Sequence, residues 1–323
     1  MMRFIAGRLG ESLVVLLIMS FLVYVLIGLM PGDPVDLMIA GDPKLTSADI
    51  ARLKALYGLD QPLFDRYLAW LGAAVTGDFG NSRQHVRPVL EIMGPYLGNT
   101  MVLMGASFAL SILIAIPAGV WAALRPHSKL DHAINLLCFA GISIPVFWLA
   151  LLMMMVFSVW LGILPASGVA TVGDGSLGDR LLHLILPTVT LTVFSIGHYT
   201  RYVRAAMMET LRQDFIRTAE AKGASRSRLL WRHALPNALI PVITIMALSF
   251  GGLFSGALVT ETMFAYPGMG KLIYDAIMGN DYNLALIGLL FATLLTLAGN
   301  LFADIAYAWL DPRISYGGGE ART

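Results

Sequence analysis

Six apolar segments, each long enough to cross a membrane, constrain this chain more than any other feature of its sequence. They cover residues 9–30, 99–124, 133–164, 181–202, 237–260 and 282–310, and about 20 apolar residues suffice to span the hydrocarbon core of a bilayer. Hydrophobic residues make up 57% of the chain and charged residues 13%, roughly half the charged share of an ordinary soluble domain. The sequence therefore predicts an all-α membrane protein with six transmembrane helices.

The placement of Lys and Arg predicts which side of the membrane each loop faces. If the N-terminus lies inside, fourteen of the 22 Lys and Arg residues fall on the inner side, eight of them within residues 201–236. Inner loops of membrane proteins carry an excess of Lys and Arg, so we expect both termini inside (N-in/C-in). Arg3 and Arg8 precede the first segment, but no small-x-small cleavage site follows it, which favours a retained helix over a signal peptide.

This topology divides the chain into four regions. Residues 1–30 hold the N-terminal tail and the first transmembrane helix, and residues 31–96 form a long outer loop with short helices. Residues 97–311 form a five-helix core that includes the loop at 201–236. Residues 312–323 form a tail on the inner side.

Two short helices are predicted in the outer loop. The run Thr46-Ser47-Ala48-Asp49 is typical of a capping box, and Gln61-Pro62 opens a second, amphipathic helix. One face of that second helix carries Leu63, Tyr67, Trp70 and Leu71. Exposed aromatic side chains there would cover the outer mouth or dock another protein; alternatively, Tyr67 and Trp70 would lie at the level of the lipid headgroups.

Residues 201–236 form the densest charged stretch of the chain, between two apolar segments. Eight Lys or Arg residues are found there, against Glu209, Asp214 and Glu220. The Ala-rich run 215–221 favours a helix, Gly223 permits the left-handed turn that ends it, and Ser225 can cap a second helix. We expect both helices to lie along the inner membrane surface. An anchor for anionic lipid is the plainer alternative, but lipid binding requires no fixed spacing.

The spacing of this loop resembles the cytoplasmic loop of the permeases of ATP-binding-cassette (ABC) importers. In that loop a Glu-Ala-Ala triplet is followed at fixed distances by Gly and by an apolar-x-Leu-Pro ending. Gly223 and Leu235-Pro236 fall in register, whereas Arg217-Thr218-Ala219 occupies the place of Glu-Ala-Ala. That substitution is typical of the dipeptide, oligopeptide and nickel branch, which the chain resembles along nearly its whole length. Further blocks of the branch follow in order at residues 31–34, 57–62, 77–82, 261–270 and 311–313.

The resemblance implies a type I ABC-importer permease bundle with a cytoplasmic coupling helix, in the bacterial inner (cytoplasmic) membrane, with a periplasmic outer loop. The implied partners are a second homologous permease subunit, two ABC ATPase subunits, a periplasmic solute-binding protein and the lipid bilayer, and not nucleic acid. ATP and Mg would bind to the ATPase subunits, so this chain would hold no cofactor. The ATPase-coupling contacts of the family carry over to Asp214, Arg217, Ala219, Glu220, Lys222 and Gly223. Arg217 departs from the Glu that is general in the family, which leaves its charge partner on the ATPase open.

A stripe of small residues in the fifth apolar segment is the candidate translocation path. It consists of Ser249, Gly252, Ser255 and Gly256. Small residues permit close packing of membrane helices, and they could also leave room for a path without fixed charges. Such a path would suit varied peptides, with selectivity left to the binding protein.

No enzyme chemistry is predicted for this chain. Gly268-Met269-Gly270-Lys271 resembles part of a phosphate-binding loop, but Ala265 and Leu272 stand where such a loop needs Gly and a Ser or Thr. The six histidines show no paired spacing of a metal site. We therefore expect ATP hydrolysis on another chain.

The function implied by the resemblance is that of a transmembrane permease subunit of an ABC importer that translocates di- or oligopeptides delivered by a solute-binding protein. The same machinery could carry nickel, glutathione or oligosaccharides. A stand-alone secondary transporter or channel is the alternative of another class. It would need ion-coupling residues in the middle of the membrane, and most of the apolar segments lack a central carboxylate or His.

Overall fold

The computed structural model describes residues 2–29, 46–56 and 60–310, and within them every side chain except those of residues 2–4, 54, 56, 247–253, 255–256, 302–303 and 306–310. Over these ranges the regular elements are helices, apart from one isolated bridge between Asn81 and Pro88. The helices are α1 (Met2–Gly28), α2 (Ser47–Leu56), α3 (Leu63–Val75), α4 (Val89–Leu124), α5 (Lys129–Ser143), α6 (Val146–Met153, continued by a π-helical turn, Met154–Trp160), α7 (Leu177–Thr210), α8 (Asp214–Ala221), α9 (residues 226–263), α10 (Met269–Met278) and α11 (Tyr282–Leu310). The fold is therefore all-α, as predicted.

Five of the described helices are long and apolar enough to cross a membrane. They contain the segments Ile5–Gly28, Val89–Leu124, Leu177–Thr210, Arg226–Met246 and Tyr282–Leu301. A sixth span arises if α5 and α6 are counted together, although these two helices are bent by 100° at the break between them. We call the end of the bundle that carries residues 211–236 the inner end, and the opposite end the outer end.

The predicted span over residues 133–164 is broken at Pro145 into two helices. Proline lacks the N–H that would continue the helical ladder, and it disfavours the helical conformation of the residue before it. Ile144 accordingly has an extended backbone, with ψ of 124°. Pro117, Pro187 and Pro241 remain inside α4, α7 and α9, so proline alone does not decide where a membrane helix breaks.

Helices α4 and α7 form the most extensive pair in the bundle. They approach closely because small residues face each other: a Cβ atom at Gly119 would lie 2.7 Å from the Val203 side chain. Buried hydroxyls along the pair bond to the backbone. The Ser107 hydroxyl donates to the Leu103 carbonyl at 2.7 Å, and the Ser107 carbonyl accepts from the Thr192 hydroxyl at 3.4 Å.

Helix α3 packs its aromatic face against α1. Tyr67 is buried, and its hydroxyl lies 2.8 Å from the Ser20 hydroxyl of α1. Its ring meets Phe21 and Tyr24 of α1 edge to face, and Trp70 also contacts Tyr24. The expected exposure of the aromatic face is therefore wrong for Tyr67, because α1 covers it.

Helices α1 and α11 are joined at the inner end. The Arg8 guanidinium of α1 lies 3.0 Å from the Asp304 carboxylate of α11. This is the pairing that a carboxylate near the end of a membrane helix requires. The pair holds α1 beside the last helix, so α1 is part of the bundle rather than a separate anchor.

Candidate coupling site

Helix α8 lies at the inner end and is held to the bundle by one buried side chain. Ile216 is 5% exposed and belongs to the apolar cluster that also contains Met207 and Leu229. Of the other residues of α8, Ala219 is half-buried and the rest are exposed. The helix therefore lies on the surface of the bundle with its polar face free.

Gly223 ends α8 in a Schellman turn, as the sequence predicts. Its φ is +81°, a conformation that costs glycine little because it has no Cβ atom. The Gly223 N–H donates to the Glu220 carbonyl at 2.9 Å, and the Ala224 N–H donates to the Ala219 carbonyl at 3.1 Å. These are the two hydrogen bonds of the motif, and the half-buried Ala219 and Ala224 provide its apolar contact.

Ser225 begins α9, and its hydroxyl accepts from the Arg228 N–H at 3.4 Å. The sequence predicts a second surface helix and a separate membrane span from Pro236. The structure instead has one continuous helix, in which Arg226–Arg228 leads through a π-helical turn, Leu229–Ala234, into Leu235–Met263. Pro236 is accommodated near the start of that last section. Consequently, the turn at Gly223 is connected directly to a membrane-spanning helix.

The structure places the predicted coupling residues side by side on this surface. Arg217 and Asp214 are both exposed and lie 3.4 Å apart, one helical turn from each other. Glu220, Lys222 and Gly223 are exposed, and Ala219 is half-buried. All six predicted coupling residues thus lie on or directly beside α8.

Two exposed aromatic side chains at this site were not predicted from the sequence. Phe215 is 44% exposed on α8, and Trp231 is 60% exposed on the π-helical turn of α9. Exposed aromatic residues are enriched where proteins bind other proteins. The exposed polar face of α8 and these two large aromatic side chains together provide the polar and the apolar part of such a surface. The sequence signal was present, because both residues interrupt the charged loop.

An ion pair beside the site fixes the inner end of α7. The Arg204 guanidinium donates to both Asp131 carboxylate oxygens of α5, at 2.6 and 2.7 Å. Asp131 is buried and also accepts from the His127 backbone N–H at 2.9 Å and from the Asn135 amide at 2.7 Å. Arg204 is one of the eight basic residues of the loop, and this pairing makes it part of the scaffold.

The predicted path stripe lies on α9, but its details fall outside the described residues. Ser249, Gly252, Ser255 and Gly256 are in the helical backbone, whereas their side-chain environments are not described. Their neighbours Phe254 and Ala257 are buried in the core. The stripe therefore stays a prediction.

The segment that resembles a phosphate-binding loop is occupied by a side chain of the protein itself. The buried Glu261 carboxylate accepts from the backbone N–H groups of Gly270 at 2.7 Å and Lys271 at 3.2 Å. It also accepts from the Thr100 hydroxyl at 2.6 Å. A Cβ atom at Gly268 would lie 2.2 Å from Glu261. These amides thus bind an internal carboxylate and hold α10 against α4 and α9.

Comparison with known families gives two matches that together cover most of the chain. Residues 115–316 match the family described as "Binding-protein-dependent transport system inner membrane component". Residues 1–103 match "Binding-prot-dependent transport system membrane comp, N-term". The first match includes α8, α9 and the loop between them.

Curated relatives are similar over nearly the whole length. The oligopeptide transport system permease protein AppB of Bacillus subtilis (strain 168) is 42% identical over 98% of this chain and 100% of that protein. The di/tripeptide transport system permease protein DppB of Pseudomonas aeruginosa (strain UCBPP-PA14) is 37% identical over 98% of this chain and 99% of that protein. The dipeptide transport system permease protein DppB of Escherichia coli (strain K12) is 33% identical, with the same coverage.

Solved structures share the fold. A chain of the MetNI methionine ABC transporter in an inward-facing conformation has a TM-score of 0.58 and 19% identity, covering 69% of this chain and 97% of that chain. An amino acid ABC transporter crystallised with histidines has a TM-score of 0.53 and 12% identity, covering 68% of this chain and 94% of that chain. The helical bundle described above is thus a fold found in ABC transporters.

Proposed function

The chain belongs to the inner-membrane components of binding-protein-dependent transport systems, and we propose that it moves di- or oligopeptides across the membrane as a permease subunit of an ATP-driven importer. As a member of this family it is a multi-pass protein of the bacterial inner membrane without enzymatic activity of its own. ATP is hydrolysed on separate ATPase subunits, and a solute-binding protein supplies the substrate. Membership of this family therefore argues against the alternative that the chain is a stand-alone secondary transporter or channel.

Helix α8 is the surface to which an ATPase subunit would bind. Its polar face is exposed, its one buried side chain is Ile216, and the turn at Gly223 connects it to the continuous helix α9. This combination, in a member of the family, is the observation that carries the proposal. Movement of a bound ATPase would displace α8 and, through the Gly223 turn, tilt α9 within the membrane. The coupling contacts would be Asp214, Arg217, Ala219, Glu220, Lys222 and Gly223.

Peptide cargo is supported by the names of the relatives. The three relatives described above are named for oligopeptide, di/tripeptide or dipeptide transport, and each matches nearly the whole chain. Nickel, glutathione or oligosaccharide transport by the same machinery is the second possibility. The binding protein that works with this chain would decide between them.

The complete importer would contain a second homologous permease subunit and two ATPase subunits. The resemblance of residues 201–236 to the coupling loop supports one ATPase contact on each permease. ATP and Mg would bind to the ATPase subunits. Closure of the ATPases would then move one α8 on each permease and reorient the paired bundle between inward and outward openings.

Transport in proteoliposomes tests this function. The chain is reconstituted with its partner permease, the ATPase subunits and the binding protein, and the uptake of a radiolabelled tripeptide is measured. We expect uptake to require ATP, the ATPase subunits and the binding protein together. Uptake by this chain alone, driven by an ion gradient, would contradict the proposal.

A further inference from the structure

The break between α5 and α6 leaves backbone carbonyls that lipid cannot satisfy. The Ile144 N–H donates to the Ala140 carbonyl at 3.2 Å, and the next ladder bond runs from the Leu149 N–H to the Pro145 carbonyl at 3.0 Å. The carbonyls of residues 141–144 therefore lack a partner in the helical ladder. Ser143 and Pro145 are exposed at this bend. Irregular backbone at membrane depth is tolerated only against protein or a water-filled cavity, so the bend between α5 and α6 lies against one of these.

A groove continues from this bend towards the inner end. Asn135 and Phe139 lie on α5 at four-residue intervals below Ser143, and thus on the same face of the helix. With His198, Arg201, Tyr202 and further residues of α7 they line a cavity of about 390 Å³. A cavity lined by aromatic and basic side chains, close to a bend that lipid cannot satisfy, is suited to a charged solute.

Arg201 is the fixed cation of this groove. Its guanidinium lies 4.7 Å from the centre of the Phe139 ring, a cation–π arrangement that positions the side chain. Among the described residues no carboxylate pairs with Arg201, whereas the neighbouring Arg204 is occupied by Asp131. The exposed His198 and Tyr202 add hydrogen-bonding groups beside it. The groove therefore holds an oriented, uncompensated positive charge.

We propose that this groove is the inner section of the cargo path and that Arg201 binds the C-terminal carboxylate of the transported peptide. The inference rests on the proposed peptide-import function and names the group that the path recognises. Every unmodified peptide ends in a carboxylate, so a guanidinium can bind it independently of the side-chain sequence. Because Arg201 is exposed, the contact is weak enough for release. The path thus contains a fixed charge, unlike the uncharged stripe expected on α9.

An anionic phospholipid is the competing occupant. Leu136 and Leu137 of α5 are 70% and 72% exposed, and a phosphate headgroup would also bind Arg201. The open carbonyls at the bend favour the path, since they lie within about one helical turn of Phe139 and lipid cannot satisfy them.

The test compares two cargoes in the complete reconstituted importer. Uptake of a tripeptide with a free C-terminus and of the same tripeptide with a C-terminal amide is measured for the unaltered chain and for Arg201→Gln. The same binding protein delivers both tripeptides. Its own preference therefore cancels when, for each tripeptide, uptake by Arg201→Gln is divided by uptake by the unaltered chain. We expect Arg201→Gln to lower uptake of the free tripeptide about tenfold, the effect of losing one charged hydrogen bond, and to leave uptake of the amide unchanged.

Two control variants separate this effect from misfolding. Arg201→Lys keeps the positive charge and should retain most of the discrimination between the two cargoes. Arg125→Gln removes an exposed arginine at the inner end of α4, outside the groove, and should leave both uptake rates unchanged. An equal loss of both cargoes in Arg201→Gln, or no loss, would overturn the proposal.

A second set of uptake measurements, at different lipid compositions, tests whether an anionic phospholipid occupies the groove. Uptake is repeated in vesicles with increasing phosphatidylglycerol content. Suppose that uptake by the unaltered chain depends on phosphatidylglycerol, that Arg201→Gln removes this dependence, and that the substitution changes uptake of both tripeptides equally. The groove then binds lipid, and the inference is refuted. If the unaltered importer fails to move any peptide with ATP and its binding protein present, the proposed function itself is refuted, and the inference falls with it. The two failures are therefore distinguishable.

Discussion

The segment between α9 and α11 at the outer end and helix α8 at the inner end handle their polar groups in opposite ways. At the outer end, the buried Glu261 carboxylate binds two backbone amides of α10 and the Thr100 hydroxyl of α4. The buried Asp281 likewise accepts from the Ser82 hydroxyl and from the Gln84 N–H. At the inner end, α8 exposes its charged face and buries only Ile216.

This difference indicates that the two regions have different structural roles. Fully satisfied buried polar groups join distant segments rigidly, because breaking them leaves unpaired groups in a medium of low dielectric. An exposed helix with one apolar anchor can shift at little cost. The segment between α9 and α11 is thus built to keep its arrangement of helices, whereas α8 is free to take the proposed role of binding a partner and following its movement.

The largest expected effect concerns Glu261. Glu261→Leu would leave the Gly270 and Lys271 amides and the Thr100 hydroxyl without their acceptor. At about 1–3 kcal/mol for each unsatisfied buried group, we expect a loss of at least about 3 kcal/mol of stability. Thermal unfolding of the purified protein in detergent measures this as a lower midpoint. Glu261→Gln, which keeps one carbonyl acceptor, should lose less, and equal midpoints for all three proteins would contradict the role of the carboxylate.

A smaller effect is expected at the ion pair of the inner end. Asp131→Ala leaves Arg204 without its partner and the His127 amide without an acceptor, so we expect a loss of about 2 kcal/mol, below the full cost of breaking a buried pair because Arg204 is partly exposed. The same detergent unfolding experiment measures it. Glu91→Gln removes the partner of Arg87 in an exposed pair and should change stability by less than about 1 kcal/mol. A comparable loss in both variants would show that the Asp131 pair is no more than a surface contact.

The sequence predicts the parts of the coupling site that depend on near neighbours. Gly223 and Ser225 act through hydrogen bonds to residues within one helical turn, so their residue types alone indicate the turn and the cap. Glu261 and Asp131 each also have a partner that is distant in the chain: Thr100 in one case and Arg204 in the other. Such pairs depend on how the helices pack, and a single sequence contains no signal for them.

Proline shows a second limit of prediction from the sequence. Pro145 breaks the span between α5 and α6, whereas Pro117, Pro187 and Pro241 lie inside continuous helices. The four residues look alike in the sequence, because each interrupts an apolar segment. Packing around each proline decides whether the freed carbonyl is satisfied, and only the structure gives that packing.

The smallest effect on stability is expected at Arg217. Arg217→Glu reverses the charge of an exposed side chain whose described ion pair is with Asp214, so stability should change by less than about 0.5 kcal/mol. The affinity of the purified permease for its ATPase should fall, because the proposed contact would lose the positive charge of Arg217. Titration of labelled ATPase into permease nanodiscs measures this affinity. An unchanged affinity in Arg217→Glu would remove Arg217 from the coupling surface.

The central claim is that α8 transmits movement of the ATPase to the membrane helices through the turn at Gly223, and the ratio of peptide uptake to ATP hydrolysis tests it most directly. Proline fixes φ near −65° and lacks an N–H, so Gly223→Pro removes both the φ of +81° and the hydrogen bond to Glu220. In proteoliposomes with the complete importer, we predict that this variant inserts into the membrane and supports ATP hydrolysis, while uptake for each ATP hydrolysed falls at least about tenfold, the loss that follows if coupling weakens by about 1.4 kcal/mol. Normal insertion together with an unchanged ratio would contradict the account.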